Sequence, residues 1–225
     1  MMPETPFSVG NVTFAHKIIP SLILSGDFID YFELPDRRLL FFIADVSGHG
    51  ASSAFVTVLL KSLSRRLEHE FEDLNLQGTS DILAWINREL LQCDLEQHVT
   101  MFLGVVDKSK KKLEYSNAAH FPGVILSSAE ATVFLEIGGL PLGLYRSAEY
   151  ESRHVNLPEA FTLVMFSDGV FEIMPQETLK AKEENLLSLV KYGNRSIENL
   201  TDHLGLDAVQ DVPDDIAIFT VAKAG

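Results

Sequence analysis

The run Leu39–Val46 with the Ser47-Gly48-His49-Gly50-Ala51 that follows constrains this chain more than any other stretch. A short continuous apolar run bounded by turn residues reads as a buried strand. Asp45 ends it abruptly, and a carboxylate there is costly to bury unless something cationic holds it. Gly48 and Gly50 allow a tight backbone turn and leave amides uncovered. A helix is predicted to begin at Ala51 or Ser52, which points its positive N-terminal end at the place where Asp45 sits. A cation site beside an anion site suits a metal-dependent enzyme acting on a phosphate ester. A plain strand-turn-helix corner with a solvated aspartate has the same local sequence, and this stretch alone leaves both readings open.

Of the 225 residues 46% are apolar, enough for one well-cored domain. Residues 1–11 are expected to be a flexible lead-in or linker remnant, and residues 12–225 a single domain. The net charge of -14 ranks nucleic acid and anionic membranes low as partners. One cysteine, Cys93, excludes an internal disulfide and suits a reducing compartment, so a cytoplasmic location is expected. No apolar run approaches the length of a membrane span. The opening Met1-Met2-Pro3-Glu4-Thr5-Pro6 has no signal-peptide character, and its double methionine fits a domain cut from a longer protein.

Residues 12–24 predict one or two strands broken at Pro20, and 28–34 a strand that turns through Pro35-Asp36-Arg37-Arg38 into Leu39–Val46. That hairpin would bring Asp27 and Asp45 towards one end of a sheet. The next helix is predicted to face inward through Ala51, Phe55, Val58, Leu59, Leu63 and Leu67. Thr79 or Ser80 should cap a second helix with Ile82, Ile86 and Leu90 on one face, Trp85 in the core, and Cys93 as a small buried residue. Strands are predicted at 99–107 and 112–117 around a basic tip read as solvated, then at 123–126 and 131–137, with a strand-poor stretch up to Pro158. Phe161 to Phe166 is a second buried strand that stops at Ser167-Asp168-Gly169; helices follow over 177–192 and 196–206, and Asp214-Asp215 opens a final strand. Short turns between strands and clustered helices argue for antiparallel sheet with helices packed outside.

Asp27, Asp45, Asp168 and the Asp214-Asp215 pair thus stand where apolar strands meet turns. If they converge, each close pair of charges costs roughly 1 to 4 kcal/mol, which a divalent cation would reverse. An all-oxygen donor set suits Mg²⁺ or Mn²⁺ rather than Zn²⁺. The histidines show no zinc-ligand spacing.

In order along the chain, Ser25-Gly26-Asp27-Phe28, Ala44-Asp45-Val46-Ser47-Gly48-His49-Gly50, Asn117-Ala118-Ala119-His120, Gly139-Leu140-Pro141-Leu142-Gly143, Ser167-Asp168-Gly169 and Asp214-Asp215-Ile216 resemble the protein phosphatase 2C (PPM) superfamily, in its bacterial SpoIIE/RsbU branch. The resemblance covers about residues 12–222. It implies an α+β fold, a four-layer αββα sandwich of two stacked, mainly antiparallel sheets flanked by helices. It also implies two Mg²⁺ or Mn²⁺ ions: Asp45 bridging them, the Val46 carbonyl adding a ligand, Asp168 and Asp214 completing the shell, and Asp27 binding directly or through water. Asp215 is carried with the metal set, and Asp30 beside it, both outside the direct ligands. The implied activity is hydrolysis of phosphoserine or phosphothreonine by a water that the two metals activate. The branch further implies a phosphorylated anti-anti-sigma (STAS) protein as substrate, and an upstream receiver or sensor domain, here as the output of a response regulator in a two-component system. In many eukaryotic members a histidine follows the Asp-Gly directly; here Ser47 follows Asp45-Val46 and the histidine comes at His49, so neither it nor His120 is assigned a catalytic role. Ala119 and Ala217 replace the Gly and Thr usual in the branch. The competing reading is a phosphatase-like adaptor that has lost catalysis, against which the retained acids speak.

Overall fold

The computed structural model describes residues 2–206 and 211–224. Residues 1, 207–210 and 225, which the expected lead-in and domain span include, lie outside the described residues. In chain order the strands are β1 (Phe7–Val9), β2 (Val12–Ile19), β3 (Phe28–Glu33), β4 (Leu39–Val46), β5 (Val99–Asp107), β6 (Lys112–Ala118), β7 (Val124–Ser127), β8 (Thr132–Leu135), β9 (Arg153–Asn156), β10 (Phe161–Phe166) and β11 (Ile216–Lys223). The α-helices are α1 (Ala51–Glu70), α2 (Thr79–Gln92), α3 (Leu179–Tyr192) and α4 (Ile197–His203), with a 3-10 turn at Asp168–Glu172. Paired strands run antiparallel in two sheets, so the protein is α+β as expected. The chain divides into two compact units, each built on one sheet.

The first unit holds Gly26–His120 and Ile137–Leu157. Its sheet has the order β3-β4-β5-β6-β9. Strand β4, between β3 and β5, is buried along its length except at Asp45, which is half-buried. The helices α1 and α2 cover one sheet face with Leu60, Leu67, Ile82 and Ile86 against Phe28, Phe42, Val46 and Leu103. Each such side chain contributes about 1.5–3 kcal/mol when withdrawn from water.

The second unit holds Glu4–Ser25, Phe121–Glu136 and Pro158–Gly225. Its sheet runs β1-β2-β11-β10-β7-β8. Leu186 and Val190 of α3 and Leu200 of α4 join Val164, Phe166, Ile216 and Ile218 in its core.

Several expectations are corrected. Phe55 and Val58 of α1 are exposed; the buried face instead runs through Ser53, Val56, Thr57, Leu60, Leu63, Ser64 and Leu67. Hydroxyls can be buried there because each finds an acceptor: Ser53 donates to the Gly50 carbonyl and Thr57 to the Ala54 carbonyl. Thr79 does not cap α2 but lies inside it, where its N–H donates to Glu114 at 2.8 Å. Cys93 is exposed, because it falls just past the last turn of α2. The stretch read as strand-poor contains β9, a short edge strand paired to β6 with Leu113 opposite Val155. Within the expected lead-in, Phe7–Val9 pairs with β2, and Phe7 lies 6.4 Å from the Phe14 ring, so packing holds what looked like linker. Among the described residues, no helix is long and apolar enough to cross a membrane.

Candidate functional site

In the first unit, the register of β3 and β4 sets Phe28 opposite Ala44. The next pair outward is Asp27 and Asp45, and a hydrogen bond from Val46 N–H to the Gly26 carbonyl at 3.3 Å continues the ladder past them. Directly opposed residues point to the same sheet face, so these two carboxylates share a face. Asp27 is 1% exposed. A side chain at Gly26 would press against the Val46 carbonyl, so the close approach of the two chains needs glycine there. Gly48 and Gly50 take φ of 87° and 78°, as the turn requires. The α1 N-terminus has no side-chain cap and no acid in its first turn, so its amides keep their positive end open beside Asp45.

Two further motifs brace this corner. Ser47 Oγ accepts from His98 N–H at 2.9 Å, and Ser47 N–H donates to the His98 carbonyl. Leu142 of the Gly139–Gly143 loop exchanges two backbone bonds with Val99, the partner of Val46. Asn87 accepts from Gly143 N–H, and Asn117 donates to the Ile137 and His120 carbonyls, which fixes both ends of that loop's path. His120 is buried in this turn and His49 is exposed.

In the second unit, β10 ends at Phe166 and Ser167 leads into the 3-10 turn that Asp168 opens. The Ser167 hydroxyl accepts from Ala217 N–H at 2.8 Å and donates to the Asp215 carbonyl. Gly169 sits so close to that carbonyl that a methyl group would overlap it. These contacts bind the Asp168 turn to the Asp214-Asp215 segment. Asp168 is solvent-accessible, yet desolvation by the protein around it first, and then the Asp214 charge, push its pKa above the ordinary value, against hydrogen bonds from Gly169 and its own backbone. Both carboxylates line a cleft of about 300 Å³ with Glu172, Phe121 and Phe171. Lys182 lines the same cleft but donates to the Phe171 carbonyl.

The sequence-derived residues therefore come as two pairs, Asp27 with Asp45 and Asp168 with Asp214. Among the described residues, no three His, Cys, Asp or Glu side chains form a group able to hold a metal ion together. Asp215 ties down the chain after β2: its Oδ1 accepts from Ser21 N–H at 2.6 Å and Ser21 Oγ at 2.9 Å. Asp30 is structural, with its carboxylate 2.7 Å from Lys61 Nζ and 2.6 Å from Ser64 Oγ. Sequence reasoning missed Ser21, Lys61 and Ser64. Only the Lys61 and Ser64 spacing on one helix face offered a signal; Ser21 lies 194 residues from its partner. As a donor set, the strand-end acids and the Val46 carbonyl are all hard oxygens, and the mutual repulsion of Asp168 and Asp214 is what a divalent cation would relieve. The residues present fit Mg²⁺ or Mn²⁺.

Residues 35–223 match the family described as stage II sporulation protein E (SpoIIE). The chain belongs to that family. It is 30% identical over 158 residues to the phosphoserine phosphatase RsbU of Bacillus subtilis, a match that takes in 68% of this chain and 45% of RsbU, so the chain spans less than half of that relative. Its fold is that of PP2C phosphatase domains. The PP2C phosphatase domain of Bacillus subtilis SpoIIE, solved with a fragment of its regulatory domain, superposes with a TM-score of 0.75 at 20% identity, over 94% of this chain and 63% of that one. RsbX in complex with magnesium superposes with a TM-score of 0.72 at 15% identity, over 97% and 98%.

Proposed function

We propose that this chain is a metal-dependent protein phosphatase that hydrolyses phosphoserine or phosphothreonine monoesters. The observation that carries the reading is a pair of matching corners, one in each unit: a buried strand, β4 or β10, with an aspartate at or just past its end, Asp45 or Asp168, held by glycine-permitted backbone contacts. Family membership and the phosphoserine phosphatase RsbU support it. The proposed metal ligands are Asp27, Asp45, the Val46 carbonyl, Asp168 and Asp214. Two Mg²⁺ or Mn²⁺ ions would supply a nucleophilic water at neutral pH and charge to stabilise the phosphoryl oxygens. The chain's own part is to orient. Gly26 lets Asp27 lie beside Asp45; Ser167 and Gly169 hold Asp168 to the Asp214 segment; Asp215 anchors Ser21 next to it. The open amides of the α1 N-terminus can receive phosphoryl oxygens.

The proposed substrate is a phosphorylated STAS-type anti-anti-sigma protein, with an upstream receiver or sensor domain controlling the output in the cytoplasm. RsbU and the bacterial stressosome structure among the structural neighbours support a signalling setting of this kind. The experiment is phosphate release from a phosphoserine peptide with Mn²⁺, with chelator, and with Asp45→Ala. Turnover that needs the metal and Asp45 supports the reading. A folded, metal-loaded chain with no turnover would make it an adaptor.

A further inference from the structure

The first unit carries a second concave surface at the end of its sheet remote from Asp45. Arg38 precedes β4 and Asp45 lies seven residues along it, roughly 23 Å away at strand rise. There the β3–β4 and β5–β6 turns and β9 enclose a cleft of about 570 Å³. Arg37, Arg38, Lys108, Lys110, Lys112 and His154 line it. The chain as a whole carries 32 acids against 18 Lys and Arg, yet this cleft gathers five of those cations against three carboxylates.

The three carboxylates are occupied with folding. Asp36 accepts from Arg38 N–H and Nε, and Asp107 accepts from Ser109 N–H, Ser109 Oγ and Lys110 N–H, so each closes a turn. Glu114 accepts from Thr79 N–H of α2. Most of the cations are ion-paired as well, Arg38 with Asp36 at 2.7 Å, Lys110 with Asp107 at 3.1 Å and Lys108 with Glu33 at 3.6 Å, but each carries several N–H donors and keeps some for a further acceptor. Arg37 is 83% exposed and reaches Glu33 only at 3.5 Å, and among the described residues neither Lys112 nor His154 has an ion-pair partner. Arg37 also adopts a φ of 69°, a region that favours glycine, so the turn keeps a guanidinium where a smaller residue would fit more easily.

The lining decides the kind of ligand. Val105 is its one apolar side chain, so it has no anchor pocket of the sort that protein interfaces are built on. It contains no Phe, Tyr or Trp on which a nucleobase could stack. What remains is a concave set of guanidinium, ammonium and imidazole donors, which matches tetrahedral phosphate oxygens.

We propose that this cleft is a binding site for a compact, phosphate-bearing polyanion, separate from the strand-end acids. The site needs no part of the phosphatase reading, so the two stand or fall apart. The test is calorimetric titration of the metal-free chain with inorganic pyrophosphate. Saturable one-to-one binding that weakens as salt rises is expected, at least tenfold weaker in Arg37→Glu/Lys112→Glu. It should persist in Asp45→Ala and in the charge-matched Lys180→Glu/Lys191→Glu. Retained melting temperatures would show that the variants fold. No saturable binding overturns the proposal. So does equal weakening in both double variants, which would mean bulk charge, or loss in Asp45→Ala, which would place the anion at the strand-end acids. An octaglutamate peptide that binds through Arg37 and Lys112 more tightly than pyrophosphate would assign the cleft to an acidic protein segment and overturn it equally.

Discussion

Asp30 and Asp168 each lie where the fold draws charge together. Asp30, in β3, is 2% exposed and has Lys61 at 2.7 Å, Ser64 Oγ at 2.6 Å and the Tyr31 N–H at 3.1 Å. Asp168, after β10, has the carboxylates of Asp214 and Glu172 as its charged neighbours, and these raise its pKa further than burial alone does. One unit supplies its own cation for a buried acid; the other sets acids beside each other and spends its nearby lysine, Lys182, on a backbone carbonyl. An acid matched by the chain serves the fold. Acids set against each other are suited to a cation from solution. Residue type and position at a strand end do not separate the two cases; the neighbours do.

Substitutions should separate them, beginning with the largest effect. Asp168→Asn should lower phosphate release by at least about 1000-fold, equivalent to about 4 kcal/mol of barrier, with the melting temperature held or raised as repulsion from Asp214 is lost. Wild-type turnover in a folded variant would move the site elsewhere. Lys61→Met should do the opposite: stability falls by about 2–3 kcal/mol because the Asp30 charge is left buried, the range being trimmed because the Lys61 side chain is 22% exposed. Chemical denaturation gives the loss, and turnover per folded molecule should stay within about threefold. Ser167→Ala should cost about 1–2 kcal/mol, since the buried Ala217 N–H loses its acceptor, and should reduce turnover by loosening Asp168.

The smallest effect lies away from both acids. Burial raises the Asp107 pKa, but hydrogen bonds from Ser109 and Lys110 and the Lys110 charge outweigh it and bring it from 3.8 to about 2. A folded-state value below the ordinary one gives stability that is present above pH 3.8 and lost as pH falls towards 2. Asp107→Asn should therefore melt slightly below wild type at about pH 7 and level with it near pH 2. A gap that widens in acid would reverse the assignment.

Much of the fold was legible because strands and helices announce themselves by pattern. Leu39–Val46 and Val99–Asp107 have the bounds expected of them, since their apolar runs stop at turn residues. The phase of α1 was not legible: Phe55 and Val58 fit a three-to-four spacing as well as Val56 and Leu60 do, and only contacts with Asp30 and local carbonyls explain why Ser53, Thr57 and Ser64 turn inward. Strand β9 was missed because Arg153–Asn156 is an exposed edge with no apolar run. The acids themselves could be picked from strand ends and motif order. Their partners could not, because Ser21 reaches Asp215 and Lys61 reaches Asp30 across stretches that carry no shared pattern.

The most direct measurement is Mn²⁺ affinity by electron paramagnetic resonance for wild type, Lys61→Met, Asp45→Ala and Asp168→Asn. Saturable binding is expected in wild type and Lys61→Met, reversed by chelator, and weakened at least tenfold in both aspartate variants. Equal Mn²⁺ binding in all four proteins, or none in wild type, would contradict the claim that these strand-end acids exist to hold metal.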